Sequence, residues 1–578
     1  MICLELSRLA CEACQRWQNK QEEYMKLPKN DLTIGWLIAV GIVTLSIGTL
    51  ATVGLADESA SATPLAKEDR PNIVLIMVDD MGWSDIGCYG GEIETPHIDH
   101  LAANGLRFTQ FYNTGRCCPT RAALLTGLYS HRAGIGWMTN DWGEEYPGYR
   151  GFLNQKCMTI GEVLNESGYF TMTTGKWHVG AKETSMWPVK RGFDYSYSVP
   201  AGGGFYYWPT KQIVENEKVI HPGDNTPIRG EPDWYATDAW VEKGLAVLQQ
   251  RKGQRDQPFF WYLAFNAPHW PLQADEADIV RFRQLYQGGW EPIRKARWLG
   301  QRERELITQD THLSSPTQGI PSWSSLGKKK QDQLVEYMAC YAATIFRMDR
   351  AIGRLMQTLE NRGELENTLI LFLADNGGCA EGGMLGNNSR HPEQRIGGPK
   401  SFIRYGEAWA NASNTPFRQY KHFVHEGGIA TPLVAYWPKK IVPKSGGELT
   451  SEVGHVVDLM ATCVDFAGAR YPSRRNGELI FPMQGISLRP VLEGRKLAPR
   501  MLFWEHEGHR AVREGEWKLV SKFPGSWELY HLGKDRSETR NLATQEPARV
   551  TSMKQAYTRW ADENNVVPWG QRPNKKKR

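Results

Sequence analysis

The chain has 578 residues, of which 41% are hydrophobic and 23% charged, and its formal net charge at pH 7 is +5. This composition is typical of a globular protein with a large core, and at about 150 residues per domain the length indicates two to four domains. The sequence has no basic stripe, so nucleic acid is not expected as a partner. Ten cysteines over this length are too few for a disulfide scaffold.

Residues 1–70 are interpreted as a targeting segment followed by a polar linker. Residues 33–55 are apolar and uncharged, Lys26 and Lys29 precede them, and an Ala-x-Ala pattern follows at Ala60 and Ala62. This order predicts an export signal that is removed by cleavage. Because residues 33–55 are long enough to span a bilayer, an uncleaved anchor is the alternative. Both interpretations predict an exported protein, periplasmic or extracellular, that contacts a membrane only if the segment is retained.

A series of apolar runs predicts the central fold. Asn72–Val78 is a continuous β-branched and apolar run, which is typical of a strand buried on both faces, and similar runs lie at 169–173, 259–265, 369–373 and 431–436. Helical patterns separate them, and one opens with a capping box at Thr159 and Glu162. The alternation predicts an α/β domain over residues 71–495, with a large mixed, mostly parallel central sheet flanked by helices.

The pattern changes near residue 500. Four short strands are expected at 503–506, 510–513, 517–520 and 527–530, with Gly-containing turns between them, and a helix at 548–563. We therefore predict a smaller C-terminal α+β domain over residues 496–578, built on an antiparallel sheet.

Two of the predicted strands run directly into oxygen-bearing side chains. Asp79 and Asp80 follow the first strand, and Asp375 and Asn376 follow a later one. Ligands collect beyond the carboxyl ends of strands in open α/β sheets, and carboxylate and amide oxygens are suited to Ca²⁺ or Mg²⁺. The sequence therefore predicts a divalent metal site; strand-end residues that cap turns are the alternative.

Cationic and imidazole side chains have the same position. Lys176 and His178 follow one predicted strand, His269 follows another, and Lys421 precedes the run at 431–436. Each could alone be an ordinary surface group. Together with a metal site, they would hold an anionic ester between a Lewis acid and positive charges.

The stretch GRCCPTRAALLTG at 115–127 contains adjacent cysteines. Neighbouring Cα atoms are only about 3.8 Å apart, which is awkward for a disulfide, and zinc ligands are usually spaced further along the chain. The string beginning at Cys117, with Pro119 and Arg121, resembles the C-x-P-[S/T]-R signature of the sulfatase family. Thr120, where many members have Ser, and Cys118 at the variable position are mild departures.

Other segments match this family in the same order along the chain: the double Asp at 79–80, GKWH at 175–178, APHWPLQ at 267–273, ADNG at 374–377 and the segment from Lys421 to EGG at 426–428. The resemblance extends from about residue 71 to the C-terminus. It is closest to bacterial arylsulfatases, within the alkaline-phosphatase-like superfamily.

The resemblance implies a formylglycine-dependent enzyme of type I. Cys117 would be oxidised to Cα-formylglycine by a formylglycine-generating enzyme, and Cys118 would stay passive. The hydrated aldehyde would attack sulfur and later expel sulfate. A single Ca²⁺ would be held by Asp79, Asp80, Asp375, Asn376 and the modified Cys117, and Arg121 would anchor the formylglycine. Lys176 and Lys421 would bind the sulfate oxygens, and His269 or Lys421 would serve the leaving oxygen. His178 would assist regeneration of the formylglycine.

The implied function is hydrolysis of aryl or carbohydrate sulfate esters, so the expected substrate is a sulfated small molecule or a sulfated glycan. A phosphodiester or phosphonate monoester hydrolase on the same scaffold is the close alternative, because the two substrate groups share tetrahedral geometry. A binding protein that keeps the fold but never converts Cys117 is a third.

Overall fold

The computed structural model describes residues 69–207, 212–221, 234–254, 256–388, 390, 392–441 and 446–573. The predicted export segment at 33–55 lies outside the described residues. Within the described part, no helix is both long enough and apolar enough to cross a bilayer.

The strands follow the predicted apolar runs closely. In chain order they are β1 (Asn72–Val78), β2 (Leu106–Tyr112), β3 (Phe170–Lys176), β4 (Tyr195–Val199), β5 (Ile213–Glu215), β6 (Lys218–Ile220), β7 (Phe259–Ala264), β8 (Thr368–Ala374), β9 (Asn387–Asn388), β10 (Ile403–Arg404), β11 (Ala430–Tyr436), β12 (Glu448–Thr450), β13 (Gly454–His455), β14 (Arg474–Arg475), β15 (Glu478–Leu479), β16 (Met501–His506), β17 (His509–Glu514), β18 (Trp517–Ser521) and β19 (Trp527–His531).

Helices occupy most of the intervals between strands. They are α1 (Pro96–Ala103), α2 (Cys117–Thr126), α3 (Ile160–Glu166), α4 (Ala236–Gln250), α5 (Glu276–Arg283), α6 (Trp290–Glu303), α7 (Lys328–Asn361), α8 (Gly406–Ser413), α9 (Glu426–Ile429), α10 (Asp458–Phe466), α11 (Arg489–Leu492) and α12 (Pro547–Glu563). The capping box predicted at the start of α3 is confirmed: the Thr159 side chain accepts from the Glu162 N–H, and Glu162 accepts from the Thr159 N–H.

The large sheet is mixed and mostly parallel, as predicted. Among the described residues it has eleven strands, in the order β12-β2-β11-β8-β1-β7-β3-β4-β5-β6, with β13 also paired to β2. The central run β8, β1, β7, β3 and β4 is parallel throughout, whereas β11 is antiparallel to both β8 and β2. The carboxyl ends of the parallel strands, and of β2, therefore meet at one edge.

Helices cover both faces of this sheet. Along β1, Val74 and Ile76 pack into a core with α1 and α7, while Ile73 and Leu75 pack into a second core with α2 and α3. Alternate side chains of a strand point to opposite faces, and a strand covered on both sides is therefore apolar throughout. This is why the continuous run at 72–78 predicted the strand correctly.

The antiparallel C-terminal sheet is also present, with the order β16-β17-β18-β19, and α12 follows it. Lys518 of β18 is fully buried, and its Nζ lies 2.9 Å from Glu426 at the start of α9 and 2.8 Å from Glu538. Arg536 donates to the other oxygen of Glu426 at 3.2 Å. We call these four residues the Lys518 network. The boundaries placed at residues 70 and 495 stay a prediction.

Candidate active site

Two buried ion pairs lie at the carboxyl edge of the central sheet. Asp79, directly after β1, accepts from the Nζ of Lys176, the last residue of β3, at 2.6 Å. Its neighbour Asp80 lies 2.7 Å from the Nζ of Lys421, which precedes α9. All four side chains are at most 1% exposed. Burial would lower the pKa of Lys176, but Asp79 and Cys117 raise it above its ordinary value, so the amine stays protonated.

Arg121 connects α2 to the end of β8. Its Nε and Nη2 donate to the same oxygen of Asp375, at 3.0 and 2.7 Å, and its Nη1 donates to the Lys176 carbonyl and to the Tyr262 hydroxyl. The other oxygen of Asp375 accepts the backbone N–H of Asp80 at 3.3 Å. Both oxygens of Asp375 are therefore held by donors, and the guanidinium connects the ends of β8 and β3 to Tyr262 of β7.

Cys117 is the first residue of α2 and lies five positions after the end of β2. Its side chain is buried, with the whole residue 2% exposed. The hydrogen bond from Cys118 lowers the pKa of the Cys117 thiol well below its usual range, and Lys176 adds to this effect against the opposing influence of burial. Cys117 in turn influences the pKa values of Asp79 and Asp375, which places its sulfur within electrostatic reach of these carboxylates.

His178 lies beside the cysteine pair. A ring nitrogen of His178 and the sulfurs of Cys117 and Cys118 lie within 4.8 Å of one another. Burial and the Lys176 charge lower the pKa of His178 to about 4, so its imidazole is neutral near pH 7. Gly202, with φ +65°, packs on the ring, and a Cβ there would come within 2.5 Å of His178 Cγ. Glycine at this position therefore makes room for the imidazole.

The remaining predicted residues surround Asp80. Asn376 donates its side-chain N–H to Asp80 at 2.7 Å, and His269 Nε2 lies 3.4 Å from the other carboxylate oxygen. Asp80 itself adopts a left-handed backbone with φ +67°. The structure thus brings every predicted site residue to one edge of the sheet.

The oxygen donors fit a divalent metal ion. Asp79, Asp80 and His269 offer ligand atoms that lie within 4.8 Å of one another. Asp79 Oδ1 and Asn376 Oδ1 are buried and have no hydrogen-bond partner among the described residues. Buried oxygens without a donor are costly, and a bound cation would satisfy them. Of the other predicted ligands, Cys117 lies with Cys118 and His178, and Asp375 accepts from Arg121. The ligand set itself stays a prediction.

Four residues that the sequence interpretation did not identify border this region. Arg116, directly before Cys117, contacts the ring of His422, and His422 Nε2 lies 3.2 Å from Glu381. Glu381 Oε1 lies 3.8 Å from Lys421 Nζ, and Glu507 accepts from His422. Although burial opposes it, Lys421 together with the His422 hydrogen bond holds the pKa of Glu381 well below its usual range. The only sequence signals were the positions of Arg116 beside Cys117 and of His422 beside Lys421.

The arrangement combines three features that suit an anionic tetrahedral ester. It has a buried carboxylate oxygen of Asp79 and a buried amide oxygen of Asn376 without donors, two protonated lysines, and Cys117 at a helix N-terminus, where backbone N–H groups favour negative charge. The cations can hold the ester oxygens, and a metal at the carboxylates can polarise the central atom. The fold and the site together therefore define a hydrolase of anionic esters whose catalytic domain has an α/β architecture.

Comparisons with known proteins identify the family. The profile described as "Sulfatase" matches residues 71–469, and that described as "N-sulphoglucosamine sulphohydrolase, C-terminal" matches residues 417–559. An uncharacterized sulfatase of Schizosaccharomyces pombe is 33% identical over 537 residues, covering 87% of this chain and 95% of the relative. An arylsulfatase of Klebsiella aerogenes is 32% identical over 447 residues, covering 75% and 94%. The chain belongs to the sulfatase family, and it is a sulfuric ester hydrolase.

Solved structures agree with this assignment. The crystal structure titled Ps i-CgsB superposes with a TM-score of 0.63 at 26% identity, covering 86% of this chain and 94% of the other. A second structure of Ps i-CgsB, with the same score, is in complex with k-i-k-neocarrahexaose. The predicted fold class and family are thus confirmed.

Proposed function

We propose that this sulfatase cleaves aryl or carbohydrate sulfate esters with a formylglycine derived from Cys117 and one Ca²⁺ bound at the end of β1. The observation that carries the proposal is the convergence of Cys117, Asp79, Asp80 and two buried lysines at one edge of the sheet. The carbohydrate alternative is supported by the structure of Ps i-CgsB in complex with k-i-k-neocarrahexaose.

The calcium ligands would be Asp79, Asp80, Asp375 and Asn376, with the modified Cys117 close by. The unpaired oxygens of Asp79 and Asn376 support this choice, because Ca²⁺ takes oxygen ligands from carboxylates and amides. The ion supplies Lewis-acid polarisation of the sulfate group, and the hydrated aldehyde supplies the attacking hydroxyl.

The chain's own residues would do the remaining work. Lys176 and Lys421 stay protonated because of their carboxylate partners, so each can donate to sulfate oxygens once metal shares those carboxylates. Arg121 fixes Asp375 and the end of β3 through its four hydrogen bonds, which maintains the geometry of the site. His178, neutral near pH 7, can accept a proton at the Cys117 position.

His269 is the group we assign to the leaving oxygen. Its side chain is 14% exposed, whereas the other predicted site residues are almost fully buried. The part of a substrate that carries the leaving oxygen extends toward solvent, so a proton donor for it has to lie on that side. General acid help of this kind contributes about 10²–10⁴-fold.

Two measurements test the proposal. Intact-mass analysis of the purified protein should show Cys117 converted from thiol to aldehyde, and an unmodified mass in an active preparation would contradict it. Turnover of an aryl sulfate should exceed that of the matching aryl phosphate; faster phosphate cleavage would favour the phosphohydrolase alternative. A panel of sulfated glycans would then separate aryl from carbohydrate substrates.

We also propose that the protein is exported, on the basis of residues 33–55 alone. N-terminal sequencing of the mature protein tests this: a start near residue 63 means cleavage, and a retained segment means a membrane anchor.

A further inference from the structure

Beside the active site lies a second group of metal-binding side chains, His422, His506 and Glu507, which we call the His422 cluster. Their ligand atoms lie within 4.8 Å of one another. His422 Nδ1 is 2.9 Å from one Glu507 oxygen, and His506 Nε2 is 3.9 Å from the other. In a tetrahedral zinc site with bonds of about 2.0–2.1 Å, ligand atoms are about 3.3 Å apart, so the observed distances lie on either side of that value.

The imidazole of His506 is buried but makes no hydrogen bond within the described residues. The residue is 0% exposed, and neither ring nitrogen has a hydrogen-bond partner among the described residues. Burying a polar group without a partner is costly, and each such group in a native fold requires an explanation. A metal ion between His506 and His422 would supply one.

One member of the cluster has an unusual backbone conformation that its local structure does not explain. His422 has φ +82°, in the left-handed region that non-glycine residues rarely adopt, whereas the φ of +52° at Glu507 belongs to the two-residue hairpin turn that it forms with Gly508. Asp80 and His178 in the active site share this property, with φ values of +67° and +61°. Such conformations cost about 1–3 kcal/mol each and concentrate at functional sites. The ring of His422 lies against the carboxylate of Glu507, at 2.9 Å from Nδ1.

Supporting groups of the kind found around metal ligands are already in place. His422 presents Nδ1 to Glu507 and Nε2 to Glu381, which is 3.2 Å away. The indole N–H of Trp137 donates to Glu507 at 2.9 Å. A metal-bound imidazole usually gives its other N–H to a carboxylate, and bound carboxylates are usually held by a further donor. The cluster shows both arrangements.

We propose that the His422 cluster binds a divalent transition metal of the zinc class through His422 Nδ1, His506 Nε2 and a Glu507 oxygen. Two imidazoles and one carboxylate are a ligand set that Zn²⁺ favours and that Ca²⁺ does not. The Arg116 guanidinium contacts the His422 ring, and its Nη2 lies 3.6 Å from Glu381. A metal bound at His422 Nδ1 would require this guanidinium to move off the ring, and Glu381 is the carboxylate within its reach. The site is separate from the Asp79 and Asp80 carboxylates, and it does not depend on the chemistry proposed for Cys117.

The test uses the full-length protein with Cys117→Ala and Cys118→Ala, which removes the sulfurs that lie near His178, and with Ca²⁺ in excess at the carboxylate site. Titration with Co²⁺ should give one equivalent of bound metal with the strong visible absorption of tetrahedral coordination. Zn²⁺ should displace it with the same stoichiometry, as measured by calorimetry.

Three further variants in this background decide the outcome. His506→Gln should abolish the Co²⁺ spectrum. Trp137→Phe keeps an aromatic side chain but removes the indole N–H that donates to Glu507, so it should weaken Zn²⁺ binding about 10–100-fold. His425→Gln is the matched control, because His425 is equally buried but lies 3.7 Å from Glu528, outside the cluster; it should bind normally. If His506→Gln does not fold, Trp137→Phe carries the test. No saturable Co²⁺ or Zn²⁺ binding, or binding unaffected by the folded variants, overturns the proposal.

Discussion

Replacing Lys518 by Met should destabilise the protein more than any exposed lysine substitution. Lys518 is fully buried between Glu426 and Glu538, at 2.9 and 2.8 Å, and both carboxylates are also fully buried. Methionine has a similar length but no charge, so the substitution leaves Glu426 to the charges of Arg536 and Arg513 and Glu538 to that of Arg418. Removing one partner of a buried ion pair costs about 3–5 kcal/mol.

The pH dependence of this effect follows from Glu426. Although burial alone would raise its pKa, Lys518 and then Arg536 lower the pKa of Glu426 to about 2. A carboxylate whose pKa is depressed in the folded state stabilises the fold above its unfolded pKa of about 4.3, and that stabilisation is lost as the pH falls toward 2. In the Lys518→Met variant the main charge that depresses the pKa of Glu426 is gone, so the folded and unfolded pKa values lie closer together, and the loss of stability on acidification should be smaller and end at higher pH.

Urea unfolding at pH 7 measures the magnitude. With a slope of about 3 kcal/mol per M or more, a loss of 3–5 kcal/mol moves the midpoint down by about 1 M. Lys534→Met, at an exposed position on the turn after β19, is the control and should not move it. Adding Glu538→Gln to Lys518→Met should restore part of the loss. Equal midpoints for Lys518→Met and the native chain would refute the argument that the ion pairs of the Lys518 network stabilise the folded protein.

Three further outcomes are expected. Cys117→Ser should reduce turnover by at least about 10⁴-fold without changing the unfolding midpoint, whereas Cys118→Ala should do little; equal losses in turnover would mean that the pair acts as a unit. Exhaustive chelation with EGTA should lower activity and added Ca²⁺ should restore it, and unchanged turnover after chelation would exclude the calcium proposal. Because burial lowers the pKa of His178 to about 4, the unfolded chain binds a proton there between pH 6.5 and 4 that the folded chain does not. The free energy of unfolding should therefore decrease as the pH is lowered from 6.5 to 4. This decrease should be less steep in His178→Gln than in the native protein.

The central sheet could be predicted from sequence because its strands are covered on both faces and are therefore continuously apolar. The position of Lys176, Asp79 and Asp375 followed from this, since residues after parallel strands converge at one edge. The apolar pattern is a property of short segments, so it needed no knowledge of distant contacts. The antiparallel C-terminal strands were recognisable from turn residues in the same way.

The residues that escaped prediction depend on contacts between distant segments. Lys518 occupies an ordinary lysine position in a short strand, and only Glu426 and Glu538 make its burial possible. Glu381 lies in a glycine-rich loop, where no periodicity fixes the direction of a side chain. His506 is the last residue of β16 and Glu507 lies in the hairpin turn that follows, and their proximity to His422 depends on how the two sheets dock. Local patterns carry no signal for such encounters.

The burial of Cys117 constrains when it could be chemically altered in the cell. The folded chain exposes only 2% of the residue. The segment around it forms the first turn of α2, whose ten residues are all buried. An enzyme that carried out the conversion proposed for Cys117 would therefore have to reach the thiol before α2 docks on the sheet, and a molecule that folded first would keep its thiol.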